Sequence, residues 1–310
     1  MNSSSSTNHS PLVLKAPAKI NWSLYVLNKR DDGYHNIVSL MHCIGLYDML
    51  TFEPSDTIEL VSDMDLPDNQ NLVYKAAVKL RSYAGTKMGA RITLKKEIPQ
   101  GAGLGGGSSD AAYTLIGLNK LWGLGLDAGE LKDMGSGLGA DVPFFFDCPI
   151  AVAEGKGEIL TSLNISIPYT LLVVKPPISV STAWAYEQIG ARGKGQGAET
   201  TETGDDEQVA SELTKTGDKI NNIKLIYGAL KKGDTSFLKA KVHNDFEDAV
   251  KRKYPVIGFI KEELLDAGAL LSIMSGSGSA VFGLFEDRDK AVNVSSRFSS
   301  HWNRVVETLV

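Results

Sequence analysis

The stretch "IPQGAGLGGGSSDAA", Ile98 to Ala112, constrains this chain more than any other. Five glycines fall between Gly101 and Gly107. A run this rich weakens a fold unless the backbone itself needs the space. Three phosphate-binding readings compete for it. "GAGLGG" matches the dinucleotide pattern G-x-G-x-x-G, which needs a doubly buried strand ahead of it and an acidic residue about 20 positions on, closing the next strand. Asp127 has the distance, but it opens a helical pattern, and the preceding strand ends in Lys95, Lys96 and Glu97, poor company for a strand covered on both faces. "GAGLGGGS" is a nucleotide-triphosphate P-loop without its lysine, because Gly107 stands where that charge belongs. The third reading is a cradle of backbone N–H groups ending on a helix start near Ser108. Ser108 and Ser109 add hydroxyl donors there, and Asp110 is placed to serve a Mg²⁺ held by phosphates. The bland alternative is a flexible surface loop before a capped helix.

The rest of the chain favours a fold of the α+β class. "LVLKAPAKINWSLYVL" has strand character with a break at Pro17, and a second strand follows the turn "RDDGYH". "NLVYKAAVKLRSYAG" predicts a helix with Leu72, Ala76, Leu80 and Tyr83 on one face and Gly85 at its end. "ARITLKKEIP" reads as a strand, "DAGELKDMGSGL" as a helix, and "YTLLVVKP" opens another half. Helices are expected from Lys219 to Lys231 and from Phe246 to Ala267. "LLSIMSGSGSAVFGLF" is a strand pair split by its own Gly/Ser loop, and a helix and strand close the chain. Elements come in runs rather than strict βαβ alternation, so mixed or antiparallel sheets are expected. The division expected is a disordered tail over residues 1–10, an ATP-binding lobe over 11–165 and a second lobe over 166–310. Residues 190–217, rich in Gly, Thr, Glu and Asp, read as a mobile loop or linker.

Composition narrows the function. A net charge of −5 argues against a nucleic-acid binder. No apolar run reaches the roughly 18 residues a membrane helix needs. Cys43 and Cys148 make neither CxxC nor metal spacing, and are expected as buried free thiols in a reducing compartment, which suggests the cytoplasm. The five histidines carry no zinc pattern. The expected partners are small molecules, and the chain itself a monomer or homodimer.

"PQGAGLGGGSSDAA" resembles the phosphate loop of the GHMP kinases, the superfamily of galactokinase, homoserine kinase, mevalonate kinase and phosphomevalonate kinase. "KAPAKINWSLYVLNKRDDGYH", "LGADVPFFF" and "MSGSGSAVFGLF" support the resemblance in the right order, and it runs from about Pro11 to the C-terminus, weakest across 190–217. It implies two α+β lobes with ATP and substrate in the cleft between them. The pair "PAKIN" and "DGYH" points within the superfamily to ATP-dependent phosphorylation of the 2-hydroxyl of a cytidine-diphosphate methylerythritol, with ATP and Mg²⁺ as cofactors.

On that resemblance, Asp141 is the catalytic carboxylate and a substrate contact, and Lys19 its electrostatic partner. Taken alone, Asp141 is equally a turn residue before proline and Lys19 a solvated strand lysine. Asn21 shares a strand face with Lys19 and is carried over as a contact to the erythritol end. Tyr34 and His35 match the cytidine pocket, with Tyr186 as a second stacking aromatic and Trp184 its rival. The ATP-phosphate set is Pro99, Gly101, Gly103, Leu104, Gly105, Gly106, Gly107, Ser108 and Ser109, with Asn71 and Leu72 beside the nucleoside. Gly276 and Ser277 belong to a second loop that closes over substrate or forms a plain hairpin. Asp110 departs from members that carry Asn there, so metal binding at it stays open. "HNDFE" reads as a helix start capped by Asn244 or Asp245, not as a source of a catalytic base. The rivals are a kinase of the same superfamily for homoserine or mevalonate, and a non-catalytic nucleotide binder. Convergence of Tyr34, His35 and Tyr186 separates the first rival; an intact Lys19, Asp141 and glycine loop counts against the second.

Overall fold

A computed structural model describes residues 10–64, 66–147, 149–195 and 205–310, with the backbone alone at 190–195 and 205–215. Residues 1–9 of the expected tail lie outside the described residues. The frame is one long antiparallel pair, β1 (Leu12–Lys29) and β2 (His35–Ser55). Pro17 does not end β1. The register shifts between Pro17 and Ala18, and proline is tolerated at such a bulge, where no ladder bond is asked of it. β3 (Ile58–Ser62) pairs parallel with β4 (Gly89–Lys95), which pairs antiparallel with β2.

Between β3 and β4 runs α1 (Leu72–Tyr83), capped by the Asn71 side chain. It buries Val73, Ala76, Ala77 and Leu80, a stripe turned slightly from the expected one, and Tyr83 is 60% exposed. α2 (Gly106–Leu121) begins two residues earlier than Ser108, on Gly105, and α3 (Ala128–Ser136) starts with a capping box between Asp127 and Glu130. α2 covers the face of β2 and β4 through Phe52, Ile92, Leu115 and Leu118, and α3 packs on α2. β5 (Ile150–Glu154) and β6 (Ile159–Leu163) add an antiparallel branch on β2.

β7 (Thr170–Lys175) belongs to a second sheet, described below with its partners. α4 (Thr182–Gly195) and α5 (Asp205–Lys232) reach into the segment expected as a loop. Residues 190–195 and 205–217 are therefore helical, and 196–204 lie outside the described residues. The sequence "DDEQVASELTK" supplies the reason: Glu, Gln, Ala, Leu and Lys are good helix formers even where large apolar residues are few. α6 (Thr235–Lys241), capped by Asp234, was not expected. The stretch from Phe246 is two helices, α7 (Glu247–Lys253) and α8 (Val256–Asp266), because Pro255 interrupts it. Before α7, β8 (His243–Asn244) pairs parallel with β1, so the first sheet runs β3-β4-β2-β1-β8.

β9 (Leu271–Met274) and β10 (Val281–Phe285) are the expected strand pair, followed by α9 (Arg288–Ser295) and β11 (Trp302–Glu307). The second sheet runs β11-β7-β10-β9, all antiparallel. Trp22 of β1 packs edge-on against Tyr169 and Phe282, at 5.5 and 5.6 Å between ring centres, and locks the two sheets into a shared core. Truncating a fully buried tryptophan of this kind costs roughly 3–5 kcal/mol. The free-thiol expectation fails at Cys43, which is buried in β2 and disulfide-bonded; Cys148 lies outside the described residues.

Candidate active site

The glycine loop is built between the two sheets. On one side the Lys19 amide of β1 donates to the Leu104 carbonyl at 2.9 Å, using an edge of β1 that β8 leaves free. On the other side the amides of Ser279 and Ala280 donate to the carbonyls of Gly101 and Ala102. The Ser275 hydroxyl donates to the Gly103 carbonyl at 3.1 Å. Gly103 has φ +76°, and a Cβ there would lie 2.0 Å from the Ser275 carbonyl oxygen. Glycine is required because two backbones meet at that point. The two glycine-rich segments of the sequence are thus one assembly.

α2 then leaves the loop. Ser109 is the first residue of its start to donate back along the chain, to the Gly105 carbonyl. The amides of Gly106, Gly107 and Ser108 lack an intrahelical acceptor, as at any helix start, and all three residues line one cavity of about 550 Å³. Pro99, Gly101, Gly103, Leu104, Gly105, Asn71 and Leu72 line it as well. Ser109 does not; its hydroxyl is buried without a partner. Asn71 spends its side-chain oxygen on the Val73 amide at 2.9 Å.

Lys19 is 4% exposed, and its ammonium has three fixed neighbours. It donates to Asn21 Oδ1 at 2.8 Å and to the Gly103 carbonyl at 3.0 Å, and lies 3.6 Å from Asp141 Oδ2. Asn21 is oriented in turn by its bond to Ser39 Oγ at 2.7 Å. Alternation along β1 brings Lys19 and Asn21 to one face, as expected. Asp141 lies ahead of the 3₁₀ turn Pro143–Phe146, lines the cavity, and keeps 35% of its side chain exposed. The pair joins residues 122 apart in sequence into one charged centre beside the loop.

Tyr34 and Tyr186 line the same cavity, and His35 stacks on Tyr186 with 5.1 Å between centres and 15° between planes. Phe246 holds the edge of Tyr186 at 4.8 Å. Burial, then the nearby Asp141 charge, pushes the Tyr186 phenol up to about 12, so it stays protonated. Burial, then Lys29, holds the His35 imidazole below its ordinary range and favours the neutral ring. Tyr34 is 56% exposed. Trp184 turns away to Tyr254 and lies under the Lys253 ammonium.

Several functional neighbours escaped the sequence reading. Lys96 reaches under the loop, where it donates to Asp110 Oδ2 at 2.6 Å and to Asp48 Oδ2. Burial opposes the Lys96 charge, but Asp110 and Asp48 outweigh it and raise its pKa. Burial pushes the Asp110 carboxyl up to about 7 against the pull of Lys96. Asp110 Oδ1 is buried without a hydrogen-bond partner. The "KKE" before the glycines was the available signal. "HNDFE" is not a capped helix start. Asn244 donates to the carbonyls of Met274 and Gly276, and Glu247 accepts from the Met274 amide, so the segment braces the second glycine loop. Gly276 and Ser277 line the cavity, and Ser277 Oγ is bonded to Thr182 Oγ1 at 2.9 Å.

This arrangement of a glycine cradle, a buried lysine and an accessible aspartate has relatives. Residues 71–148 match the GHMP kinases N terminal domain, and residues 226–304 match the GHMP kinases C terminal domain. A protein of Thermodesulfovibrio yellowstonii named 4-diphosphocytidyl-2-C-methyl-D-erythritol kinase is 48% identical over 300 residues, covering 96% of this chain and 98% of its own. The chain belongs to the GHMP kinase family. A crystal structure of 4-(cytidine 5'-diphospho)-2C-methyl-D-erythritol kinase is similar, with a TM-score of 0.75 at 32% identity over 95% of this chain and 99% of that one. Homoserine kinase from Cytophaga hutchinsonii has a TM-score of 0.70 at 19% identity, covering 98% of this chain and 96% of that one, which is a likeness of fold alone. Among the described residues, no helix of this GHMP kinase is long and apolar enough to cross a membrane.

Proposed function

We propose that this protein transfers the γ-phosphoryl group of ATP to the 2-hydroxyl of 4-diphosphocytidyl-2-C-methyl-D-erythritol, giving the 2-phosphate and ADP for non-mevalonate isoprenoid biosynthesis. One observation carries the reading: a single cavity joins the glycine cradle, the Lys19–Asp141 pair and the Tyr34–Tyr186 aromatic wall. The 48% identity to a kinase of that name over almost the whole chain supports the substrate.

In this reading the amides of Gly106, Gly107 and Ser108 hold the nucleotide phosphates. Asp141 accepts the proton of the substrate hydroxyl as its oxygen attacks the γ-phosphorus, and the bond from phosphorus to the β,γ-bridging oxygen breaks to release ADP. Lys19 is pinned by Asn21 and Gly103, so it stabilises charge on the transferring group without first having to reorganise. Asn21 sits at the erythritol end, and Tyr34, His35 and Tyr186 form the cytidine site, with Gly276 and Ser277 as the roof. The work done here is cytoplasmic, on water-soluble small molecules.

Magnesium belongs to the same proposal. Mg²⁺ is usually held by one or two carboxylates together with the substrate's phosphates. The unpartnered Oδ1 of Asp110, a residue that lines the cavity, fits that donor set. When bound, the ion neutralises phosphate charge. Among the described residues no group of three acidic, His or Cys side chains forms a site without the nucleotide.

The test is ADP release from ATP with the cytidylyl methylerythritol, against homoserine and mevalonate. Turnover is expected with the first alone. Comparable turnover with either of the others would sink the substrate assignment.

A further inference from the structure

The second glycine loop is held from behind by a side chain 32 residues upstream of Gly276. Asn244, in β8, is 6% exposed. Its Nδ2 donates to the Met274 carbonyl at 2.7 Å and to the Gly276 carbonyl at 2.8 Å. Its Oδ1 accepts from the Phe246 amide at 3.0 Å. Two acceptors on one side and a donor on the other allow the side-chain amide only one way round. Asn244 lines a separate cavity of about 300 Å³ behind the loop, whereas Gly276, Ser277 and Gly278 line the active-site cavity.

Those bonds fix the direction of one peptide. The Gly276–Ser277 peptide is planar and trans, so its N–H points opposite to its carbonyl. The carbonyl turns back to Asn244, and the Ser277 N–H therefore turns forward. The next two amides are used within the protein: Gly278 donates to the Ser275 carbonyl and Ser279 to the Gly101 carbonyl. Among the described residues the Ser277 amide has no acceptor. It stands beside the charged centre, because a Cβ on Gly276 would lie 3.4 Å from Lys19 Nζ.

We infer that Asn244 is a positioning residue that aims the Ser277 amide at the transferring phosphoryl group. This rests on the phosphoryl transfer proposed above. Lys19 meets the charge that develops on the phosphoryl oxygens, and a fixed N–H meets it from the second loop. A donor held in place before the reaction costs no reorganisation during it. Without Asn244, two buried carbonyls lose their donor, and the Gly276–Ser277 peptide can turn to recover one elsewhere. The Ser277 amide turns with it.

The deciding variant is Asn244→Asp, which keeps the bond from the Phe246 amide and replaces the donor by an acceptor. Asp245→Ala is its control. Asp245 lies in the same segment but ties to β1, through the Val26 amide at 2.7 Å. Steady-state kinetics should show kcat lowered about 10²-fold by Asn244→Asp, the scale of one lost donor to developing charge. The KM for ATP and for the alcohol substrate should hold within about threefold. Asp245→Ala should lower the melting temperature and keep kcat within about twofold. In the wild type, where no variant has to fold, ADP with aluminium fluoride as a stand-in for the transferring group should shift the Ser277 amide resonance in NMR. Full activity in folded Asn244→Asp, an equal loss of kcat in Asp245→Ala, or an unmoved Ser277 amide overturns the inference and leaves the proposed function standing. A wild type without turnover overturns the proposed function, and this inference with it.

Discussion

Gly105 and Gly106 are adjacent, yet each is packed against a different lysine. A Cβ on Gly105 would lie 3.0 Å from Lys19 Cγ, and one on Gly106 would lie 3.3 Å from Lys96 Nζ and 2.9 Å from Ile98. The two lysines meet carboxylates in different ways. Lys96 is closed in by Asp48, which is fully buried, and Asp110. Asp48 also accepts the amides of Glu97 and Ile98, at 2.6 and 2.9 Å. Lys19 faces a single carboxylate at 3.6 Å, and that carboxylate is one-third open to the cavity. The difference teaches what each pair is for. A buried charge held between two carboxylates fixes a backbone in place, and removing its partner is costly. A carboxylate left half free can take up a substrate and a proton.

That contrast breaks most sharply at Asp141. Asp141→Asn should lower kcat about 10³-fold, the usual scale for a lost proton acceptor. The melting temperature and ATP affinity should hold, and scanning calorimetry with single-turnover kinetics checks both. Asp48→Ala should behave in the opposite manner and cost about 3 kcal/mol of stability, as expected when a buried ion pair loses one member. Urea unfolding reads it, and a loss under about 1 kcal/mol would mean that Asp48 is not the anchor.

Gly103→Ala attacks the seam rather than either lysine. Its methyl group must displace the Ser275 carbonyl and with it the Lys19 contact at the Gly103 oxygen. A rise in the KM for ATP of about tenfold, with kcat also reduced, is expected; steady-state kinetics would show it. Asp110→Asn should have the smallest effect. Asp48 still pairs Lys96, so folding changes little, but the Mg²⁺ concentration for half-maximal rate should rise several-fold. A Mg²⁺ titration with an unmoved midpoint would make Asp110 a partner of Lys96 alone.

Local signals carried well in this sequence. Asn71 and Asp127 stand at helix starts as caps, and the glycine loop was legible because five glycines in seven positions have few other uses, whereas Pro255 divides the single helix expected from Phe246 to Ala267. Lys19 and Asn21 were readable as one strand face. Pairings across long separations were not readable. Nothing at positions 48, 96 and 110 says that they meet, so the lysine that Asp110 faces, fourteen residues upstream, was not visible in the sequence. The Gly106 side of the loop is crowded by Ile98 as well as by any bound phosphate, so a clash there has two sources. The helices flanking residues 196–204 were missed because acidic, glycine-spotted composition hid adequate helix propensity.

The sequence by itself determined the glycine loop and its helix start, the strand that presents Lys19, and the membership of the chain in one family of kinases. Those features are local: glycine conformations, strand alternation and helix starts depend on near neighbours. The tertiary structure decided which glycine loop touches which and which carboxylates Lys19 and Lys96 meet. Contacts of that kind depend on how two sheets close over Trp22, and no span of residues short enough to read as a motif contains them.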